Sequence, residues 1–323
     1  MSLYLLSLII SFLLLLSCSP RVSKLEGVNY IDIVRVEDKI SISYYRDNPL
    51  KPSKRVDKKR YRVICSVGSS PIALWVWNHR DIKKDWETFD RVVKEFGIVR
   101  VYLQVSSEID KNFVQALKNR GLEVFLLDGG KEVSLNFSPE YIKELSPDGF
   151  QIDIEPYLNW DFKLKQERYL GNYVKLLKAL KRELKPIKLS VVVPFWFDSL
   201  TYRGKPLINY VFTYADEVVV MAYRNSLSKA VELVGEEIDL AKRYRKELWL
   251  GVELHPQKDE HHNIYRVGRY RLERVGGFKV RGSMLVMPYK EAVRLKFIKC
   301  KNVRGFVVHS YSYIKKLKVN SVK

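Results

Sequence analysis

Cysteine is nearly absent. The 323-residue chain holds three, Cys18, Cys65 and Cys300, and none stands at C-x-x-C or any comparable ligand spacing. That excludes a cysteine-built metal centre. Histidine is almost as rare, with five residues, and three of them, His255, His261 and His262, share one polar loop without helix-spaced ligands. A solvated loop is expected there, with no metal and no cofactor. Acidic residues are outnumbered, 37 Asp and Glu against 57 Lys and Arg, for a net charge of +20 spread along the chain. Such an excess suits an anionic partner, an envelope polymer or lipid headgroups, and equally suits a merely solvated surface. Gln is scarce where Lys and Arg are frequent, a compositional mark of heat adaptation. No Gly-rich turn follows the first expected core strand. Trp75-Val76-Trp77-Asn78-His79-Arg80 stands in that place, against a dinucleotide-binding open sheet. The apolar run from Leu3 to Leu16 falls short of the about 20 residues that a membrane-spanning helix needs.

That run reads as the apolar region of a signal peptide. Leu15-Leu16-Ser17-Cys18 follows it and resembles a bacterial lipobox, although no Lys or Arg precedes the run. Residues 1–17 are therefore expected to be removed, with Cys18 lipidated. The folded part then sits in the cell envelope, anchored at the outer membrane or at the periplasmic face of a membrane. An uncleaved anchor or plain secretion are the alternatives. All of these disfavour nucleic acid as a partner. A monomer is expected.

Two further segments follow. Residues 19–60 form an arm: Tyr30–Val36 and Ile40–Tyr45 alternate in polarity around Glu37-Asp38-Lys39, a hairpin signal, and a polar, Pro-containing linker continues to Arg60. From residue 61 to 323 the pattern is regular. Apolar, β-rich runs recur at Ile72–Trp77, Val99–Val105, Glu123–Leu127, Gly149–Glu155, Leu189–Trp196, Glu217–Tyr223, Leu248–Leu254 and Gly305–Ser310. Amphipathic stretches such as 85–96, 111–120, 165–184 and 227–244 separate most of them. Eight strands alternating with helices predict an α/β fold, a (β/α)8 TIM barrel. So few residues follow the last strand that its helix must be truncated, and the N-terminal arm is a candidate to cover the gap. Cys65 and Cys300 precede the first and last barrel strands, which are neighbours in a closed ring. A disulfide between them and two free thiols are both compatible with this placement.

In such barrels chemistry sits at the C-terminal ends of the strands. Those ends offer Trp75 and Trp77, Tyr102 and Gln104, Asp153 and Glu155, Trp196 and Asp198, Tyr223 and Arg224, Glu253 and His255, and His309 and Tyr311. Aromatic faces beside a few carboxylates describe a sugar site. The fourth strand is the most informative. Phe150, Ile152 and Ile154 alternate with Gln151, Asp153 and Glu155, which puts the three polar side chains on one face. Two carboxylates so placed hold each other's proton affinities apart, as general acid chemistry requires.

The run Asp148-Gly149-Phe150-Gln151-Ile152-Asp153-Ile154-Glu155 resembles the D-G-x-D-x-D-x-E signature of glycoside hydrolase family 18, the chitinase-like barrels. Val220-Met221-Ala222-Tyr223 resembles that family's M-x-Y strand. The resemblance implies a hydrolase of N-acetylhexosamine-containing glycans. Glu155 would protonate the glycosidic oxygen, Asp153 would orient and charge-balance the substrate's acetamido group as that group attacks the anomeric carbon, and Tyr223 would hydrogen-bond the same group. The chain departs from the family at three places. Gln151 replaces the middle Asp and is left to hydrogen-bond Asp153 without sharing its proton. Gly305–Tyr311 carries no Trp to floor a sugar subsite. Glu253 lies outside the signature. Glu253 and Glu155 together suit a second mechanism, that of the large retaining glycosidase clan, clan A, with Glu155 as acid/base and Glu253 as nucleophile; the Asn that would precede Glu155 there is Ile154. Gln151, Trp75, Trp77, Tyr102, Gln104, Trp196, Asp198, Arg224, Glu253, His309 and Tyr311 are the expected substrate-binding set. A catalytically inactive sugar-binding barrel and an envelope protein that holds anionic polymers are the non-enzymatic readings.

Overall fold

A computed structural model describes residues 28–36, 39–46, 59–67, 70–224, 230–231, 233–254 and 298–315. Three strands come first: β1 (Val28–Val36), β2 (Lys39–Arg46) and β3 (Lys59–Val67). β1 and β2 pair antiparallel with Val36 opposite Lys39, so the alternation around Glu37-Asp38 does form a hairpin. β3 straddles the expected boundary at residue 60. It pairs with β2 and then with β13 (Ile298–Cys300), closing a four-stranded antiparallel sheet. Cys300 is disulfide-bonded, and the residue opposite it in register is Cys65.

The barrel strands are β4 (Ile72–Val76), β5 (Ile98–Gln104), β6 (Glu123–Gly130), β7 (Gly149–Ile154), β8 (Lys188–Pro194), β11 (Glu217–Met221), β12 (Glu247–Glu253) and β14 (Gly305–His309). They close a ring in which every pair is parallel, and β14 fits between β12 and β4. Each falls on a run expected from the sequence. β9 (Thr201–Tyr202) and β10 (Lys205–Pro206) form a small separate ribbon.

The helices are α1 (Arg80–Lys84), α2 (Trp86–Phe96), α3 (Lys111–Lys118), α4 (Pro139–Glu144), α5 (Gln166–Glu183), α6 (Leu207–Tyr214), α7 (Gly235–Tyr244) and α8 (Tyr311–Ile314). Their starts are written in local chemistry. Asp85, Asp110 and Ser138 accept from the amides of Thr88, Phe113 and Tyr141 at 2.9, 2.7 and 3.2 Å, satisfying amides that a helix start leaves open. α2 buries Phe89, Val92 and Phe96 against the barrel wall and stops at Gly97, whose φ is +64°, a conformation that costs glycine little. α8 has four residues, so the last helix is short. β3 of the arm runs beside α7.

Two glycines set the barrel's inner packing. A Cβ on Gly149 would fall 2.1 Å from the Phe125 ring, and one on Gly251 would fall 2.8 Å from Trp75. Each glycine makes room for an aromatic from another strand, Phe125 of the adjacent β6 and Trp75 of β4. Below these aromatics lies a polar floor. Arg100, buried, meets Glu217 and Glu123 and lies 4.2 Å over the Phe125 ring. Tyr102 and Ser190 donate to Glu217 Oε1 at 2.6 and 2.7 Å. A charge buried here is tolerable because both partners are present and further hydrogen-bonded. A cavity of about 440 Å3, lined in part by Lys118, Glu123, Asp148 and Lys188, opens at this N-terminal end, away from the mouth.

Candidate active site

Strand parity brings the expected carboxylates to the C-terminal mouth. β7 pairs with β6 so that Gly129 faces Asp153 and Gly130 faces Ile154. The ladder continues one residue past the strand, because the Glu155 amide donates to the Gly130 carbonyl at 2.8 Å. Glu155 is thus held on the ladder and not on a loose loop. Gly129 allows the close approach: a Cβ there would come within 2.8 Å of the Asp153 carbonyl.

Asp153 is half-buried, but its Oδ1 is fully covered and makes no hydrogen bond among the described residues. Burial, and then the charge of Glu155, pushes its carboxyl up to about 7. This is the pattern of a carboxyl kept partly protonated at neutral pH by desolvation and a like charge. Glu155 accepts from the Tyr157 hydroxyl. Burial, and then that contact, hold the Tyr157 phenol above its usual range. The Tyr157 ring stands edge-on to Trp196, centroids 4.8 Å apart.

Tyr223 closes the third side. Burial, then the charges of Glu253, Asp153 and Glu155, push its phenol far above the usual range. All three carboxylates therefore act on one hydroxyl-bearing ring. Tyr223 stacks on His309 at 6.2 Å, and His309 Nδ1 lies 2.7 Å from Glu253 Oε2. Trp77 sets its own ring 5.6 Å from His309 in a T-shaped contact and stays exposed. Gln104 lies half-buried at the end of β5. Asp198, in a 3-10 turn at Phe197–Ser199, is half-buried at the rim, as is Arg224, which donates to the Tyr223 carbonyl at 2.7 Å and lies 4.6 Å over the Phe195 ring.

Four expected contact residues lie elsewhere. Gln151 is wholly buried and does not bond Asp153: its Oε1 accepts from Trp75 Nε1 at 2.7 Å and its Nε2 donates to Ser190 Oγ at 2.9 Å. Trp75 is equally buried and packs within the barrel, so it offers no face to a sugar. Tyr102 points inward but lies one layer too deep, on the polar floor. Tyr311 is buried on the outside, 5.5 Å from Phe89 of α2. β14 ends at His309, so the two-residue period that would have put His309 and Tyr311 on one face no longer holds. Cys18 and His255 lie outside the described residues. Ser190, Tyr157 and Asp128 were missed. Asp128, buried at the end of β6, accepts from the backbone and side chain of Asn136 at 2.7 and 2.6 Å and so ties down the following loop.

The Trp75–Gln151 bond carries a prediction. Trp75→Phe removes the donor and leaves a buried amide oxygen unpaired, which costs about 1–3 kcal/mol. Equilibrium denaturation of the two proteins measures the difference, and equal midpoints would contradict it.

No family model matches the chain, and no curated protein matches it in sequence. Among solved structures it is similar to chitinase-like barrels. The spore cortex-lytic enzyme SleL of Bacillus cereus is 10% identical with a TM-score of 0.46, over 82% of this chain and 76% of that one. The C-terminal domain of Legionella pneumophila ChiA is 11% identical with a TM-score of 0.42, over 76% and 94%. A glycoside hydrolase family 18 chitinase of Cycas revoluta, solved with (GlcNAc)3, is 14% identical with a TM-score of 0.38, over 57% and 69%. The likeness is one of barrel architecture. Among the described residues no cluster of His, Cys, Asp and Glu could hold a metal ion, and no helix is long and apolar enough to cross a membrane.

Proposed function

We propose that this protein is a glycoside hydrolase acting on an N-acetylhexosamine-containing glycan in the cell envelope, to which Cys18 tethers it. The observation that carries this reading is the Asp153–Glu155 pair at the barrel mouth, beside Tyr223 and with Asp153 Oδ1 unpartnered among the described residues. Glu155 protonates the glycosidic oxygen as the bond to the anomeric carbon breaks. The substrate's own acetamido oxygen attacks that carbon. Asp153 accepts from the acetamido N–H and balances its growing positive charge, and the Tyr223 hydroxyl donates to the same group. Water then completes the reaction with retention, Glu155 taking its proton. Trp77 offers the exposed aromatic face for a sugar ring.

Gln151 does not remove this chemistry, because the amide is occupied with Trp75 and Ser190. Asp153 is left to the substrate. Glu253 is buried and held by His309, which suits a counter-charge better than a nucleophile.

The acetamido group is the distinguishing reagent. Reducing-end release from a polymer of N-acetylglucosamine should be readily measured, and release from its deacetylated counterpart should be lost. Equal cleavage of both polymers, together with a loss of several orders of magnitude in Glu253→Gln, would replace this mechanism with the two-glutamate one.

A further inference from the structure

The segment that leaves β7 presents apolar side chains to water on a rigid frame. Phe162 and Asp161 are buried at 8% and 7% exposure, and Asp161 binds Tyr169 Oη at 2.8 Å and Lys165 Nζ at 2.7 Å. Asn159 donates to the Lys131 carbonyl at 2.8 Å. Backbone turns close from Phe162 to Asn159 at 3.1 Å and from Leu164 to Asp161 at 3.0 Å. Between these anchors, Leu158, Trp160 and Leu164 stand 59%, 89% and 82% exposed, the largest exposures of any large apolar residues among those described. Single exposed apolar residues are ordinary; three within seven positions on an ordered turn are not. Lys163, Lys165 and Arg168 are exposed around them, with Glu167 the one exposed acid from 158 to 168.

This surface lacks the equipment of a sugar subsite. Two of its three apolar groups are leucines, which have no face to stack on a pyranose. The polar groups nearest them are committed: Asn159 to backbone carbonyls, Asp161 to Lys165 and Tyr169. It does have the equipment for an anionic bilayer surface. Indole settles at the headgroup boundary, leucine enters the acyl edge, and flexible cations reach lipid phosphates. We infer that this tip docks on an anionic lipid surface, with Leu158, Trp160 and Leu164 entering the interface and Lys163 and Arg168 holding headgroups. The tip follows Glu155 directly, so docking sets the mouth beside the lipid. The inference stands on exposure and charge and is independent of the proposed hydrolysis.

The test is fluorescence of the full chain reconstituted in vesicles of phosphatidylcholine and phosphatidylglycerol with brominated acyl chains. Trp160→Phe gives the Trp160 contribution by difference. The expected result is a blue-shifted, bromine-quenched Trp160 component that is lost in phosphatidylcholine alone and in Lys163→Glu/Arg168→Glu. Near-ultraviolet dichroism confirms that both surface variants keep the fold. A Trp160 component that bromine leaves unquenched overturns the inference. So does quenching insensitive to lipid charge, or a Trp160 shift produced in detergent by soluble N-acetylglucosamine oligosaccharides and absent in vesicles.

Discussion

Glu155→Gln should lower kcat on an N-acetylglucosamine polymer by about 10²–10⁴-fold, the usual contribution of one general acid. The amide keeps the size of the side chain and can still accept from Tyr157, whose hydroxyl holds Glu155 in the native protein. Backbone placement should not change either, because the residue is fixed by its own amide on the Gly130 carbonyl. What disappears is the proton. KM should therefore move little while kcat collapses, a split that a folding defect would not produce. A fall confined to KM would place Glu155 in binding only, and equal activity of the two proteins would remove it from the mechanism.

Asp153→Asn should make the protein more stable in alkali while weakening catalysis. At pH values below 3.8, the ordinary value for this carboxyl, it is protonated in the folded and the unfolded chain alike. Burial and the neighbouring Glu155 then push the folded value up to about 7. As pH rises between these limits, the unfolded chain gives up the proton first, so it binds fewer protons than the folded chain and stability falls with pH. The penalty is complete above about 7. At about 1.4 kcal/mol per pH unit, and discounted because the group is half-buried, it is on the order of 2–4 kcal/mol. Asparagine carries no charge to bury and escapes it. The melting temperature of Asp153→Asn should match wild type near pH 4 and exceed it by on the order of 5–10 °C at pH 8, by the usual scaling for a domain of this size. Parallel melting curves across that range would mean that Asp153 is solvated in the folded protein.

The sequence disclosed faces better than depths. Asp153 and Glu155 were legible because a two-residue period in β7 fixes which way they point, and the ladder runs on to residue 155. For Tyr102 the same period gives a face but no height, and height decides whether a side chain meets substrate or the Glu217 floor. At His309 the strand stops, and parity says nothing of Tyr311 beyond it. Tyr157 sits in a 3-10 turn at Pro156–Leu158, where no period operates. Gln151 finds its partners 76 and 39 residues away. Such distant pairing leaves no local mark, so its amide was expected to reach Asp153. The barrel itself needed only alternation of apolar runs, a property each strand carries alone.

The seat of β14 between β12 and β4 has a consequence for synthesis. Until residues 305–309 leave the ribosome, seven strands form an open ribbon with two naked borders, each able to recruit a stranger. Only when that strand is seated does His309 come against Glu253, so the barrel strand that is last in chain order also finishes the rim of the mouth.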